Sequence, residues 1–337
     1  MISFPNRMVK TVFESVSPIL LLSRLAGVCP LITKKNYGVP ELVRSNYLTM
    51  LQVIILLISL AHLGFIPYAV INIEEMPQIS SQYNATITDT IKDLSSQKFI
   101  TKMANIVLIS FTSILVRFSN LIQMPKHLPE LLKNIYTLDR ISLQANNRDI
   151  KRTFLLSVVL IVVSWPYQIY SILIVTTDSW MAFLMFYLNL YNNFAVISCE
   201  FQFVAFAWII DSRFDKLNKT LKELCNKQYL DNEQASLVKL SQTRKSSRLL
   251  CQAFGNLNRL HGFQLMAILS GLSLNVLFGL YFSIFGGFTK NSTKTSISFQ
   301  RISNITNEIL WSIYYLTRFV FICIVAGSTT DKVCIFI

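Results

Sequence analysis

Charge is what this chain has least of: Asp, Glu, Lys and Arg together make up 15% of its 337 residues, where a soluble domain carries about a quarter. Acidic residues are scarcer still, 18 against 31 Lys and Arg. With 52% of positions hydrophobic and a mean hydropathy of +0.46, the apolar excess requires a lipid solvent and excludes an ordinary water-soluble fold. Histidine is limited to His62, His127 and His261, far apart in the chain, so the His-rich boxes of membrane di-iron enzymes are missing. The chain also lacks a phosphate-cradling Gly-rich loop, a Gly-x-Ser-x-Gly nucleophile elbow and any Cys-x-x-Cys pair, the arrangements that would point to catalysis. No catalytic centre, metal site or cofactor is expected, and the chain does not read as an enzyme.

The six cysteines are Cys29, Cys199, Cys225, Cys251, Cys323 and Cys334. None falls in a segment assigned below to the outside, so an extracellular disulfide framework is not expected. The net charge of +13 raises nucleic acid as a partner. Its basic residues are dispersed over several connections instead of forming one stripe or arm, and membrane orientation accounts for them better. The apolar stretch 18–30 contains Arg24 and ends without a small-residue cleavage site, unlike a secretory signal. It reads as cytoplasmic or interfacial.

Crossing a bilayer core takes about 20 apolar residues in a helix. Six windows meet or approach that length: 47–73, 103–123, 153–176, 180–210, 261–288 and 309–327. The expected fold is therefore all-α, a polytopic transmembrane bundle of six helices. Its divisions are an N-terminal segment over 1–46, helices one to four over 47–210, a helical extension over 211–260, helices five and six over 261–327, and a tail over 328–337. Lys and Arg number six in 1–46, six in 124–152 and ten in 211–260, against six in the alternate connections. The positive-inside bias places the N-terminus and the long fourth connection in the cytoplasm. Glycosylation acceptors agree: Asn84, Asn291 and Asn304 head sequons in the segments assigned outside, and only Asn218 heads one on the inner side.

After the fourth window, Phe214, Leu217, Leu221 and Leu224 recur at helical spacing, as do Leu250, Phe254 and Leu257 before the fifth. These stripes suit either packing between two helix extensions or a contact between subunits. No repeat of fixed period emerges, and Pro166 in the third window has no counterpart in a second half, which argues against a solute carrier.

Charged residues inside the membrane are costly unless paired. Arg117 lies near one end of its window, where its head can snorkel to water. Glu200 and Arg318 lie deeper and can pair across the fourth and sixth helices, although Glu200 is also within reach of interfacial water. Of the two, Arg318 is expected to be the more sensitive to neutralisation. Aromatic residues gather in the outward halves of helices three to five. Trp165, Tyr167, Tyr170, Tyr187 and Tyr281 are the candidate lining of a pocket for a small organic molecule, and interfacial belts produce the same enrichment.

Several motifs resemble those of the insect gustatory receptors. The segment Ser17-Pro-Ile-Leu-Leu-Leu-Ser-Arg-Leu-Ala-Gly-Val-Cys-Pro30 is similar to the pre-membrane segment of that family. Glu200-Phe-Gln-Phe-Val, followed by Arg213-Phe-Asp-Lys-Leu-Asn218, resembles its exit from helix four, with Arg213, Phe214, Leu217 and Asn218 as the signature positions. Phe254-Gly-Asn-Leu-Asn-Arg259 and Ala326-Gly-Ser-Thr-Thr330 sit where related patterns occur. The resemblance spans nearly the whole chain. It implies a taste receptor of the plasma membrane of sensory neurons, with an outer ligand pocket for a small-molecule tastant. It also implies a homo- or hetero-tetrameric, ligand-gated, non-selective cation channel with a cytoplasmic N-terminus. The family's seventh, pore-lining helix has no counterpart before Ile337, and the apolar end Val333-Cys-Ile-Phe-Ile337 replaces a polar linker, so a C-terminal truncation is expected. A fragment of a G-protein-coupled receptor and a non-conducting truncated product are the alternatives.

Overall fold

The computed structural model describes residues 9–36, 39–74, 85–142, 155, 180–226, 233–288 and 295–334. Among the described residues the elements are helix α1 (Val9–Leu25), strands β1 (Leu31–Asn36) and β2 (Val39–Arg44), and helices α2 (Asn46–Glu74), α3 (Ala85–Ser142), α4 (Trp180–Asn226), α5 (Glu233–Phe288) and α6 (Thr295–Cys334). Five helices are long and apolar enough to cross a membrane, through Asn46–Phe65, Ala104–Ile141, Tyr187–Leu224, Leu237–Tyr281 and Ile309–Val333. They correspond to windows one, two, four, five and six. The third window, 153–176, lies outside the described residues apart from residue 155.

The helices overrun the bilayer. At about 1.5 Å per residue the 58 residues of α3 extend far beyond a hydrocarbon core about 30 Å thick. The connections expected at 124–152 and 211–260 are thus largely continuations of α3, α4 and α5. Pro125 and Pro129 lie inside α3 without ending it, although each removes one backbone donor. Between and beyond the prolines, Leu128, Leu131 and Ile135 are completely buried. They share one core with Phe214, Leu217, Leu250 and Leu257. The two stripes of the fourth connection therefore pack within the molecule.

Helix α4 is the centre of the bundle. Its most apolar window is 83% buried, against 17% for α2, whose apolar surface is left for lipid. Close approach of α3 to α5 is set at Gly271, where a Cβ would stand 2.8 Å from Thr112 Oγ1. Small residues at such crossings let helix backbones come together where no hydrophobic effect drives them.

The described part of the N-terminal segment is folded and joins the core. Strands β1 and β2 form an antiparallel hairpin in which Leu31 faces Arg44 and Thr33 faces Leu42, burying Leu31 and Leu42 and exposing Ile32 and Val43 on the other face. Helix α1 ends in a glycine-based C-cap. Val28 N–H donates to Ser23 O at 2.8 Å and Gly27 N–H to Arg24 O at 2.9 Å, with Gly27 at a φ of 66°.

The carbonyls just past this cap are claimed by Arg117. Its Nη1 donates to Ala26 O at 2.9 Å and to Gly27 O at 3.4 Å, and its Nε to Ser113 Oγ at 3.2 Å. The guanidinium lies 4.8 Å from the ring centroid of Tyr191, whose hydroxyl donates to Leu25 O. Arg117 is completely buried and does not snorkel. The cation instead sits at the negative end of α1, which satisfies it inside the bundle.

Gly27 has no room for a side chain. A Cβ there would stand 2.9 Å from Arg117 Nη1, Ile55 Cδ1 and the Tyr191 hydroxyl. Positive φ and overpacking each cost about 1–2 kcal/mol or more for an L-residue. Gly27→Ala is expected to lower the unfolding temperature of the detergent-solubilised protein by several degrees, and an unchanged midpoint in a thermal melt would contradict the Arg117 cap.

Candidate functional site

The deepest charges in the bundle meet each other. Glu200 on α4 and Arg318 on α6 form a bidentate pair, Nε to Oε2 at 3.0 Å and Nη2 to Oε1 at 2.5 Å. The guanidinium also lies over the Tyr314 ring, 5.2 Å from its centroid. Glu200 is only 2% exposed, so the alternative of contact with interfacial water is set aside: its carboxylate turns inward because α6 supplies the cation. The pair anticipated from intramembrane cost is thus present, in the planar two-bond geometry that guanidinium and carboxylate favour.

Above the pair, α3, α4, α5 and α6 enclose a cavity of about 20 Å³ lined by Thr112, Asn193, Asn275, Tyr315 and Arg318, among others. That is room for one water molecule. Tyr315 is held in place from two sides. Its hydroxyl donates to Asn105 Oδ1 at 3.3 Å, and its ring stacks on Trp311 with centroids 5.4 Å apart and planes 13° apart. The cavity is thus walled largely by the aliphatic Ile109, Val196, Ile268 and Leu272, with two amides, one threonine hydroxyl, the Tyr315 ring and the Arg318 guanidinium set among them.

Polar side chains continue from this site in two directions. Asn192, next to the cavity's Asn193, accepts from Ser59 Oγ at 2.9 Å and Ser113 Oγ at 3.2 Å, and Ser113 in turn contacts Arg117. Next to Glu200, the Cys199 thiol donates to Gln264 Oε1 at 2.7 Å, and Gln264 Nε2 donates to Asn120 Oδ1 at 2.9 Å. These networks join α2, α3, α4 and α5 through hydrogen bonds where lipid offers none.

The residues nominated from the sequence fare unevenly. Tyr187 and Tyr281 are 54% and 53% exposed on α4 and α5, and neither lines this cavity. Trp165, Tyr167 and Tyr170 lie outside the described residues, as do Asn84 and Asn291. Asn304 lies on α6 before its membrane-spanning stretch. Among the signature residues, Phe214 and Leu217 are core. Arg213 makes a second buried pair, Nε to Asp139 Oδ1 at 2.9 Å and Nη2 to Oδ2 at 2.7 Å, while Asn218 is partly exposed. Sequence reasoning missed Asp139, and it missed Trp311, Tyr314 and Tyr315, which share a helix face with the Arg318 it named. That set was detectable as an i, i+3, i+4, i+7 face.

Breaking a buried pair leaves one charge unpaired and costs about 3–5 kcal/mol. A stranded carboxylate can take up a proton, whereas an arginine cannot shed one. Glu200→Gln is therefore expected to destabilise the protein more than Arg318→Gln, the reverse of the order expected from sequence depth alone. The double variant should recover part of the loss. Detergent thermal melts and surface expression check this, and a larger loss for Arg318→Gln would contradict it.

The sequence model of a family described as 7tm Chemosensory receptor matches residues 16–336, from within α1 to beyond the end of α6. A search among curated proteins finds none that matches. Nearly the whole chain, with its five described spans and its buried polar site, thus falls within one family's pattern: the chain belongs to the seven-transmembrane chemosensory receptor family and is a polytopic helical membrane protein.

Proposed function

We propose that the chain is a gustatory-type chemoreceptor. In this reading it detects a small hydrogen-bonding tastant and serves as one subunit of a tetrameric, ligand-gated, non-selective cation channel in the plasma membrane of sensory neurons. It transduces a signal and performs no catalysis. Its N-terminus lies in the cytoplasm, as the Lys and Arg bias implies.

The observation that carries the reading is a small, largely apolar cavity where four helices meet, with Asn193, Asn275 and Tyr315 in its lining and Arg318, itself held by Glu200, beside them. With room for one water, the cavity admits a larger ligand only if side chains and helices move apart. Such a ligand favours the conformation in which the cavity is open, and that differential affinity is what shifts a two-state equilibrium. The motif resemblance favours taste over smell within the family. The dispersed positive charge favours the inward N-terminus over the arrangement of a G-protein-coupled receptor.

Two measurements test this. The receptor, expressed with candidate partner subunits in a heterologous cell, should give a tastant-evoked cation current that persists with G-protein signalling blocked. Asn275→Leu should raise the half-maximal concentration at least tenfold at unchanged surface expression. An N-terminal epitope should be reached by antibody only after permeabilisation. An epitope accessible on intact cells, or a response abolished by the G-protein block, would overturn the proposal.

A further inference from the structure

On the Lys- and Arg-rich side of the bundle, the extensions of α3 and α5 diverge around an open cleft of about 620 Å³. Glu130, Lys133 and Asn134 form its α3 wall, and Cys251, Gln252, Gly255, Asn256 and Arg259 its α5 wall. This volume is in the range that holds a small organic ligand. Among the described residues, the Lys133 ammonium and the Arg259 guanidinium make no hydrogen bond or ion pair, so two cations on facing walls stand against one carboxylate. Lys126 and Arg248 extend the positive charge along the same helix faces at helical spacing, and both are exposed. Apart from the backbone of its own helix and its chain neighbours, nothing lies within 4 Å of the position that a Cβ on Gly255 would occupy, so a side chain there would project into the cleft.

Its depth narrows what it can hold. At about 1.5 Å per residue, Arg259 lies roughly 3 Å beyond the start of the fifth apolar window and Lys133 roughly 15 Å beyond the end of the second. The cleft therefore begins in the headgroup layer, which adds about 5–8 Å to each side of the hydrocarbon core, and runs on into the water beyond it. Cations at that level, with the three amide side chains of Asn134, Gln252 and Asn256 beside them, match a phosphorylated polyol that is anchored in the membrane and projects from it. A soluble anion would meet the same cations without the gain from membrane anchoring.

We propose that the cleft between α3 and α5 binds the phosphorylated, polyhydroxylated headgroup of an anionic lipid of the cytoplasmic leaflet. Lys133 and Arg259 hold its phosphates, and Asn134, Gln252 and Asn256 its hydroxyls. The choice of leaflet rests on the orientation proposed above, which the epitope assay reads separately. Binding in detergent reads the headgroup whatever the orientation.

The probe is dioctanoyl phosphatidylinositol 4-phosphate, titrated onto the purified chain in a neutral detergent and followed by thermophoresis. Free inositol 1,4-bisphosphate and dioctanoyl phosphatidylcholine serve as comparisons. The phosphorylated lipid is expected to bind at least tenfold more tightly than either comparison. The double variant Lys133→Gln/Arg259→Gln should weaken it at least tenfold, Gly255→Leu should abolish it by filling the cleft without removing charge, and Glu130→Gln should tighten it. All four positions are at least partly exposed, and unchanged thermal melts will verify that the variants fold. Equal affinity for phosphatidylcholine would make this a generic lipid contact, and equal affinity for the free headgroup would make it a site for soluble phosphates. Either result, an indifferent double variant, or no binding overturns the proposal.

Discussion

A guanidinium cannot give up its charge, so an arginine that a lipid-dissolved bundle buries must bring its partners with it. Arg117, Arg213 and Arg318 each meet that requirement differently, and each solution joins elements distant in the chain. Arg117 draws the end of α1 against α3 and α4, because the free carbonyls past the Gly27 cap are the acceptors within reach. Arg213 takes Asp139 and so ties α4 to the far end of α3. Arg318 takes Glu200 and sets the position of α6 on α4. Removing the ions and their partners together would leave apolar helices with little to fix their rotation, since lipid tails are as apolar as leucine.

Helix α4 receives all three. It carries Glu200 and Arg213 and contributes Tyr191 against Arg117, which accounts for its being the most enclosed of the spans. Lys332 adds a fourth connection on the same side as Arg213, with both Asp211 and Asp215 at 2.8 Å. The walls of the cavity are continuous rods with the helices of the inner lobe: α3, α4 and α5 run without interruption from Thr112, Asn193 and Asn275 to the leucine core that they share beyond the membrane. The cavity and that lobe are therefore connected through continuous helices.

The aromatic residues show where inference from one sequence stops. Trp165, Tyr167, Tyr170, Tyr187 and Tyr281 were chosen for type and depth, and depth follows from helix length alone. Whether a side chain at that depth faces lipid or a neighbouring helix depends on rotation, which an almost uniformly apolar span does not encode. Tyr187 and Tyr281 face outward, while Trp311 and Tyr315, in the sixth window, turn inward on the same face as Arg318. A charge in the span was the better guide to the inward face, because its cost permits only one side. The N-terminal hairpin escaped for another reason: two six-residue strands become stable only when a neighbouring core buries one face, here Leu31 and Leu42 against the bundle.

Composition and apolar run length by themselves determined that the chain is a helical membrane protein, where its described spans lie, and that Glu200 and Arg318 are the charges in need of partners, because the solvation cost of an intramembrane charge is a property of the residue and its depth. The tertiary structure alone decided that Arg117 is a buried cap and not a snorkelling end, that Asp139 is the partner of Arg213, and which aromatic residues wall the cavity. Those outcomes rest on helix rotation and on contacts between residues up to 210 positions apart in the chain, and no local periodicity in a nearly all-apolar segment carries that information.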